Sequence, residues 1–410
     1  MHGKRLYLVC IIFCILVIFN STSVVFPSSQ MWSNSFGTGT GCSVVQTSDG
    51  DFALAGTTYG DADFWLIGID EYGNMKWNKT YGGPESESAK VLIGTSDGGF
   101  ALVGYSGNCD CWLVKTDSFG NMEWNQTYGG QGYDYANSLI ETSDGGYAIG
   151  GSYNPDSEDP FGDRDFWLVK TDAYGNMEWN QTYGGLGYDY VNSLVETSDG
   201  GYLLVGNTGL YLVESNVWII KTDAQGNLQW DREFGGKGSS GVNSVVKTSD
   251  DGYALAGFIS QDFWLIKIDR LGNLQWNQTH SKLSTAEAYS LIETSEGGYA
   301  LAGCVSSGNA GGSEGWLVKT DTNGNEIWNQ TYNGIENYFI YSLIETSDGE
   351  FALAGYKTSS YPNLPDLLLI KTDSYGNVPE IPSLVIVPFL VMTTSIALIF
   401  KKKLKKTLGR

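Results

Sequence analysis

The sequence predicts an all-β protein: a seven-bladed β-propeller closed by its N-terminal strand and followed by a C-terminal transmembrane helix. Three observations carry that expectation. Residues 170–185, KTDAYGNMEWNQTYGG, nearly repeat residues 115–130, KTDSFGNMEWNQTYGG, and weaker copies run along the chain; self-similarity at a period of about 50 residues marks an array of one supersecondary unit. All 13 Trp fall in two registers of that unit. The 410 residues include 54 Gly and few segments of helical period, as short strands joined by tight turns require.

Taken in order, the chain opens on a leader. Residues 6–19, LYLVCIIFCILVIF, follow Lys4 and Arg5 and precede a small polar run, the layout of a secretory signal. Residues 1–30 are therefore read as signal peptide and linker, and 31–378 as the propeller ectodomain. Each unit divides into four strands, a to d. In the unit that starts at Asn137, strand a ends at the turn Ser143-Asp144-Gly145-Gly146, and Asp-Gly between two strand-like runs is a strong hairpin signal. Strand b covers 147–153, strand c 165–171, and the turn at Asp172, Gly175 and Asn176 leads into strand d, 177–183. The a–b turn recurs after Thr47, Thr95, Thr142, Thr197, Thr248, Thr294 and Thr346. The c–d turn recurs at Asp70, Asp117, Asp172, Asp223, Asp269, Asp321 and Asp373. Seven units of this size predict seven blades.

Strand c carries Trp65, Trp112, Trp167, Trp218, Trp264 and Trp316, with Leu368 in the last copy. Strand d carries Trp32, Trp77, Trp124, Trp179, Trp230, Trp276 and Trp328. One large flat side chain per blade is what packing between neighbouring sheets needs, so these indoles are read as structural. The chain begins on an orphan strand d, and its last unit stops after strand c, where Val378-Pro379 replaces the expected Trp strand. Proline cannot donate to a ladder. The N-terminal strand should fill that place beside residues 367–372.

Residues 381–400 carry no charge and are followed by KKKLKK, which reads as a membrane span, 379–400, with a basic cytoplasmic tail, 401–410. The expected location is the plasma membrane, single-pass, with the ectodomain outside. All 46 acidic residues and 16 of the 24 basic ones fall between residues 31 and 380, a net of about −30. Such a body repels a phosphate backbone, so nucleic acid is not an expected partner.

The turn Asp-x-x-Gly-Asn-x-x-Trp, as at 117–124, resembles the tryptophan-docking repeat of quinoprotein-like propellers, where a similar turn seats a Trp against the next blade. The resemblance covers about 31–378 and implies the fold. It does not extend to the quinone cofactor PQQ, because Asp110 separates Cys109 from Cys111 where those dehydrogenases have adjacent cysteines. The turn also resembles the Asp-box of sialidases, with one residue more between Asp and Gly. Pro379-Glu380-Ile381-Pro382 resembles the PEF-type sorting tails of prokaryotic, chiefly archaeal, surface proteins, with Ile381 where that pattern has Phe.

Because strand c runs toward the c–d turn and the last one leads into the apolar run, the face holding the a–b and c–d turns should lie toward the membrane. Its turn Asp residues then need bound cations or a tilt of the ring. The opposite face carries the variable b–c and d–a loops, where binding residues tend to sit. There the candidate ligand-binding residues are Tyr133, Asp134 and Tyr135, their copies Tyr188, Asp189 and Tyr190, and Tyr153. Aromatic planes beside carboxylates suit sugars, and an extracellular protein or glycan is the expected partner. The acidic loop Asp156, Glu158, Asp159, Asp163 and Asp165 is a candidate calcium site, although it lacks an Asp-x-Asp-x-Asp-Gly pattern and reads first as a solvated loop. Asn78, Asn125, Asn180, Asn277 and Asn329 begin Asn-x-Thr sequons on strand d, candidates for glycosylation or simply a polar strand face.

Catalytic machinery is thin. His280, the one ectodomain histidine, occupies a slot that holds Tyr128 and Tyr183 in other units and reads as a packing substitute. Arg164, Arg232 and Arg270 fall on different elements, which argues against a sialidase-like triad. Cys42, Cys109, Cys111 and Cys304 allow two disulfides in three pairings, or free thiols. The expectation is a non-enzymatic surface binding or adhesion protein. The alternatives are a carboxylate enzyme, glycosidase or lyase, on extracellular polysaccharide, and a structural envelope component.

Overall fold

Strands b and c of each repeat are buried over most of their length, as in Tyr147–Tyr153 and Asp165–Thr171, whereas strand d, as in Met177–Tyr183, is mostly exposed. A sheet with neighbours on both faces has no solvent side, so its inner strands lose the polar alternation of a half-buried strand. The computed structural model describes residues 31–378 apart from 108–109, 131, 155–162, 186, 210–215, 236–238, 283, 308–311, 334–335 and 359–363. Each blade is an antiparallel meander in which strand a lies innermost and strand d forms the outer edge.

The expected seven separate blades are corrected by the strand pairing. Five four-stranded blades stand alone, and the remaining strands form one continuous seven-stranded sheet. The strand Trp32–Gln46 causes the fusion. Its first part pairs antiparallel with Asp366–Lys371, Trp32 opposite Lys371, and its second part with Phe52–Thr58, Gln46 opposite Phe52. Elsewhere a loop separates strand d from the next strand a, and Tyr128 to Ser138 spans 10 residues. Phe36 to Ser43 spans only 7, too few to turn away, so one strand serves two sheets. The first and last repeats are thus hydrogen-bonded together through the opening strand, which lies beside Asp366–Lys371 as its orphan register implied.

The transmembrane helix expected over 379–400 is likewise no part of the described structure. Among the described residues no helix is long and apolar enough to cross a membrane. The leader, 1–30, and residues 379–410 lie outside the described residues.

The core is a series of walls between blades. In one of them Ala148, Phe166 and Leu168 meet Val191, Leu194, Tyr202 and Leu204 of the next blade. Both Trp registers build these walls. Phe166 packs on Trp218 of the next blade with ring centroids 4.8 Å apart, and Phe263 on Trp316 at 4.4 Å. Strand-d indoles reach across to the next c–d turn: Trp124 meets Tyr147 edge-on at 5.8 Å and Trp179 meets Tyr202 at 5.9 Å. The turn leaves no room for a side chain under the indole. A Cβ on Gly175, whose φ is +76, would stand 2.6 Å from Cζ3 of Trp124, so glycine is required both for the αL backbone and for the docking.

Each c–d turn is held by its own Asp. Asp172 Oδ1 accepts the N–H groups of Tyr174 and Asn176 at 2.9 and 2.8 Å, and its Oδ2 accepts Asn176 Nδ2 at 2.8 Å. A buried lysine links the a–b turn to the blade: Lys170 Nζ donates to Thr171 O at 2.8 Å and pairs with Asp144 and Glu178.

Candidate ligand-binding channel

The innermost strands enclose a central cavity of about 570 Å³. Every one of them carries a β-bulge at the same place, seen as a register shift between Val191 and Ser193, Val242 and Ser244, Ala288 and Ser290, and their counterparts. The extra residue of a bulge is unpaired and its side chain is re-aimed. Here the extra residues are Cys42, Lys90, Asn137, Asn192, Asn243, Tyr289 and Tyr341, and all of them line the cavity. The bulge also presses a strand-a carbonyl against strand b. A Cβ on Gly206 would lie 1.9 Å from Tyr190 O, which explains the one glycine per strand b at this height. That glycine was the sequence signal for the channel, since a strand-interior glycine often marks a bulge.

Next to every bulge but one stands a serine, Val91 taking its place in the second repeat, and four of these serines tie one blade to the next by accepting an N–H. Ser138 Oγ accepts the N–H of Leu194 at 3.0 Å, Ser193 that of Val245 at 3.2 Å and Ser290 that of Leu343 at 3.1 Å. Ser342 accepts the N–H of Val44 at 3.3 Å and so joins the last repeat to the first. Three bulge residues extend the ring: Asn137, Asn192 and Asn243 donate through Nδ2 to the carbonyls of Val191, Val242 and Ala288 at 3.0, 2.8 and 2.9 Å.

Across the channel the bulge residues are aromatic. Tyr289 and Tyr341 lie 4.9 Å apart, Tyr341 stacks on Tyr356 at 5.9 Å, and Tyr356 stacks on Phe339 at 4.7 Å. Tyr289 Oη donates to Glu287 Oε2 at 2.9 Å, and Asn243 Nδ2 holds the other carboxylate oxygen at 3.0 Å. Burial raises the pKa of Tyr289 and Tyr341 well above that of free tyrosine, so both stay neutral hydroxyls. Cys42 is pushed up to about 12, by burial chiefly, and does not present a thiolate. Among the described residues Lys90 is the only charged one of the lining. One wall therefore offers amides, the other flat aromatic faces, with a single cation between them.

The residues singled out on the loop face have a different fate. Tyr133 and Tyr135 stack at 6.5 Å, Tyr135 meets Tyr105 edge-on at 5.4 Å, and the Arg164 guanidinium lies 4.9 Å over Tyr135. Tyr153 packs on Trp167 at 5.7 Å, Tyr190 Oη accepts Asn207 Nδ2 at 3.1 Å, and Tyr188 bridges to Arg164. Asp134 and Asp189 do not face solvent as a ligand site requires. Asp134 is fully buried and accepts the N–H groups of Gly130 and Asn154 at 2.7 and 3.0 Å. Asp189 accepts from Thr208, Gly185 and Gly209. They tie the d–a loops to the b–c loops, and burial raises both carboxyls above the ordinary carboxylate range.

Of the acidic loop, Asp156, Glu158 and Asp159 lie outside the described residues. Asp163 accepts the N–H of Gly187 at 3.1 Å, while Asp165 crowds Gly184 together with Asp189. Among the described residues no three His, Cys, Asp or Glu side chains come together as a metal site. Cys42, Cys111 and Cys304 are free thiols, and Cys109 lies outside the described residues. The sequon asparagines are exposed on the outer strands, yet they have structural work: Asn125, Asn180, Asn277 and Asn329 accept the indole N–H of Trp112, Trp167, Trp264 and Trp316 at 3.1 to 3.3 Å. Asp231 does the same for Trp218 at 3.1 Å. The repeat keeps the acceptor where it loses the sequon. His280 is buried in the tyrosine slot, as its register implied.

No protein-family model matches the chain, and no curated protein matches it in sequence. Its fold is similar to several solved structures. The Pan2 WD40 domain of Neurospora crassa matches at 8% identity over 86% of this chain and 96% of that one, with a TM-score of 0.56. A catalytically inactive virginiamycin B lyase from Staphylococcus aureus, with quinupristin, matches at 11% identity over 83% and 99%, with a TM-score of 0.54. A puromycin hydrolase matches at 11% identity over 85% of this chain and 55% of that one, with a TM-score of 0.53. Fold and repeat define a β-propeller repeat protein.

Proposed function

We propose that the chain is a binding propeller held at the cell surface by its C-terminal segment, and that it takes an extracellular glycan at the mouth of the central channel on the b–c and d–a loop face. The observation that carries this reading is the bulge position. Its backbone is the same in every innermost strand while its side chain changes from Asn to Tyr, Lys or Cys, whereas the neighbouring serine that joins the blades is nearly constant. A position presented by a rigid scaffold and varied in side chain is how a binding surface is built. Tyrosine faces opposite amides suit the apolar face and the hydroxyls of a sugar ring.

The test is a glycan array probed with the full chain, followed by titration of the best ligand against Tyr289→Ala combined with Tyr341→Ala. Loss of two aromatic contacts should weaken binding about tenfold or more, since each tenfold is only about 1.4 kcal/mol. A silent array, or a ligand that binds the double variant as tightly as the parent, overturns the assignment.

A further inference from the structure

Among the described residues, 13 large hydrophobic side chains are exposed, and 11 of them lie on the c–d turns or the first two residues of strand d; only Tyr59 and Leu364 lie toward the opposite face. The a–b turns of the same face carry Ser-Asp-Gly or a close variant. Aliphatic members such as Leu228, Leu271, Leu274 and Ile327 carry the set around the rest of the face, but the aromatic tips are unevenly placed. Tyr375, Tyr72, Phe119 and Tyr174 are 65, 54, 67 and 73% exposed, and they stand on successive turns. Trp32, on the strand beside the last strand c, sits against Gly73, Trp77 against Gly120 and Trp124 against Gly175, which fixes that order. Gln225, Leu271 and Asn323 hold the equivalent places on the far side of the ring, so no aromatic tip stands there, although Leu271 is 54% exposed. The result is an aromatic crescent on half of one face.

We infer that this crescent seats the propeller on a lipid bilayer, tilted so that the Tyr375 to Tyr174 side enters the interface. The occupant is indicated by where the chain goes next. Val378 follows the turn of Tyr375 directly, and the sequence beyond it runs uncharged from 381 to 400 before KKKLKK, so the end of the crescent is the point at which the chain turns apolar. Tyrosine belongs at a membrane interface because its ring is apolar and its hydroxyl keeps a water-side partner. The turn Asp residues stay charged, but each carboxylate accepts the N–H groups of its own turn, and those bonds replace part of the water it gives up near the headgroups. The tilt leaves the turn Asp residues of the far side, Asp223, Asp269 and Asp321, in water. This inference is independent of the channel ligand.

The experiment is hydroxyl-radical footprinting of the full-length chain in phosphatidylcholine vesicles without ligand, read by mass spectrometry. Tyr59, 59% exposed on the b–c side, is the internal standard. Burial in the interface should lower oxidation of Tyr72, Phe119, Tyr174 and Tyr375 to roughly a fifth or less of the Tyr59 level. Equal labelling of the crescent and Tyr59 overturns the seat. So does protection that disappears when the number of chains per vesicle is lowered about tenfold, because a second copy would then be the cover. Protection that is independent of chain density supports it, and Tyr72→Ser with Tyr174→Ser should then raise the labelling of Phe119.

Discussion

The wall between two blades and the wall of the channel are made by the same repeats, and they diverge in opposite ways. Between blades, the indole of strand d meets a glycine and an aromatic ring in nearly every copy, as Trp124 meets Gly175 and Tyr147, and Trp179 meets Gly226 and Tyr202. At the channel bulge the copies hold Cys, Lys, Asn or Tyr. A site packed against the neighbouring blade tolerates few shapes. A site that faces an open channel only has to keep its backbone, so its side chain is free to be selected for a ligand.

The largest expected effect lies in the closed wall. Trp179 is half-buried, and removing its ring leaves Tyr202 and the turn at Gly226 without their cover. Trp179→Ala should cost about 3 kcal/mol, the low end for an aromatic core site, measured by urea denaturation. A loss under about 1 kcal/mol, typical of surface changes, would erase the contrast between the two walls.

Those indoles were legible in the sequence because their meaning is carried by register, and thirteen of them keep two registers. The c–d turns were legible through Asp, Gly and Asn at fixed spacing, and closure through the missing strand d at Val378-Pro379. Other features hide behind identical letters. Asp134 in a buried loop knot and Asp163 on an exposed loop are the same residue type, and only burial separates them. The continuous seven-stranded sheet depended on three residues missing between Phe36 and Ser43, a length signal weaker than any motif. The channel was announced only by the glycine of strand b, and the buried role of Lys170 only by its recurrence beside an equally recurrent Asp144.

An intermediate effect tests whether the closed wall really demands one shape. Tyr81, Tyr128, Tyr183 and Tyr332 each donate a hydroxyl to a carbonyl of the next c–d turn, at Gly120, Gly175, Gly226 and Gly376, over 2.5 to 2.8 Å. His280 stands in that slot, and its Nε2 has no hydrogen-bond partner. His280→Tyr should restore the bond to Gly324 and stabilise the fold by about 1 kcal/mol at pH 7.5, the usual net value of a hydrogen bond. Burial lowers the His280 pKa below 6.5, with Glu326 acting in the opposite sense. The unfolded chain then takes up the proton more readily, so the parent loses stability as pH falls through 6.5, and the advantage of the variant should grow between pH 7.5 and 5.5. A variant no more stable than the parent would show that the wall accepts imidazole as well as phenol.

The smallest expected change in stability belongs to the channel. Asn192→Ala removes an amide that donates to Val242 O at 2.8 Å, but the space it vacates joins a cavity of about 570 Å³, and water there can supply the donor to the carbonyl. The bulge itself is fixed by the serine bond from Ser193 to Val245 and by the bare glycine at Gly206, neither of which the substitution touches. The cost should stay under about 1 kcal/mol, while affinity for a channel ligand falls several-fold with the lost amide. Urea melts paired with titration of the array-selected glycan separate the two readouts. If Asn192→Ala instead destabilises as much as Trp179→Ala, the asparagines are part of the closed wall, and the variation among bulge residues reflects packing and not recognition.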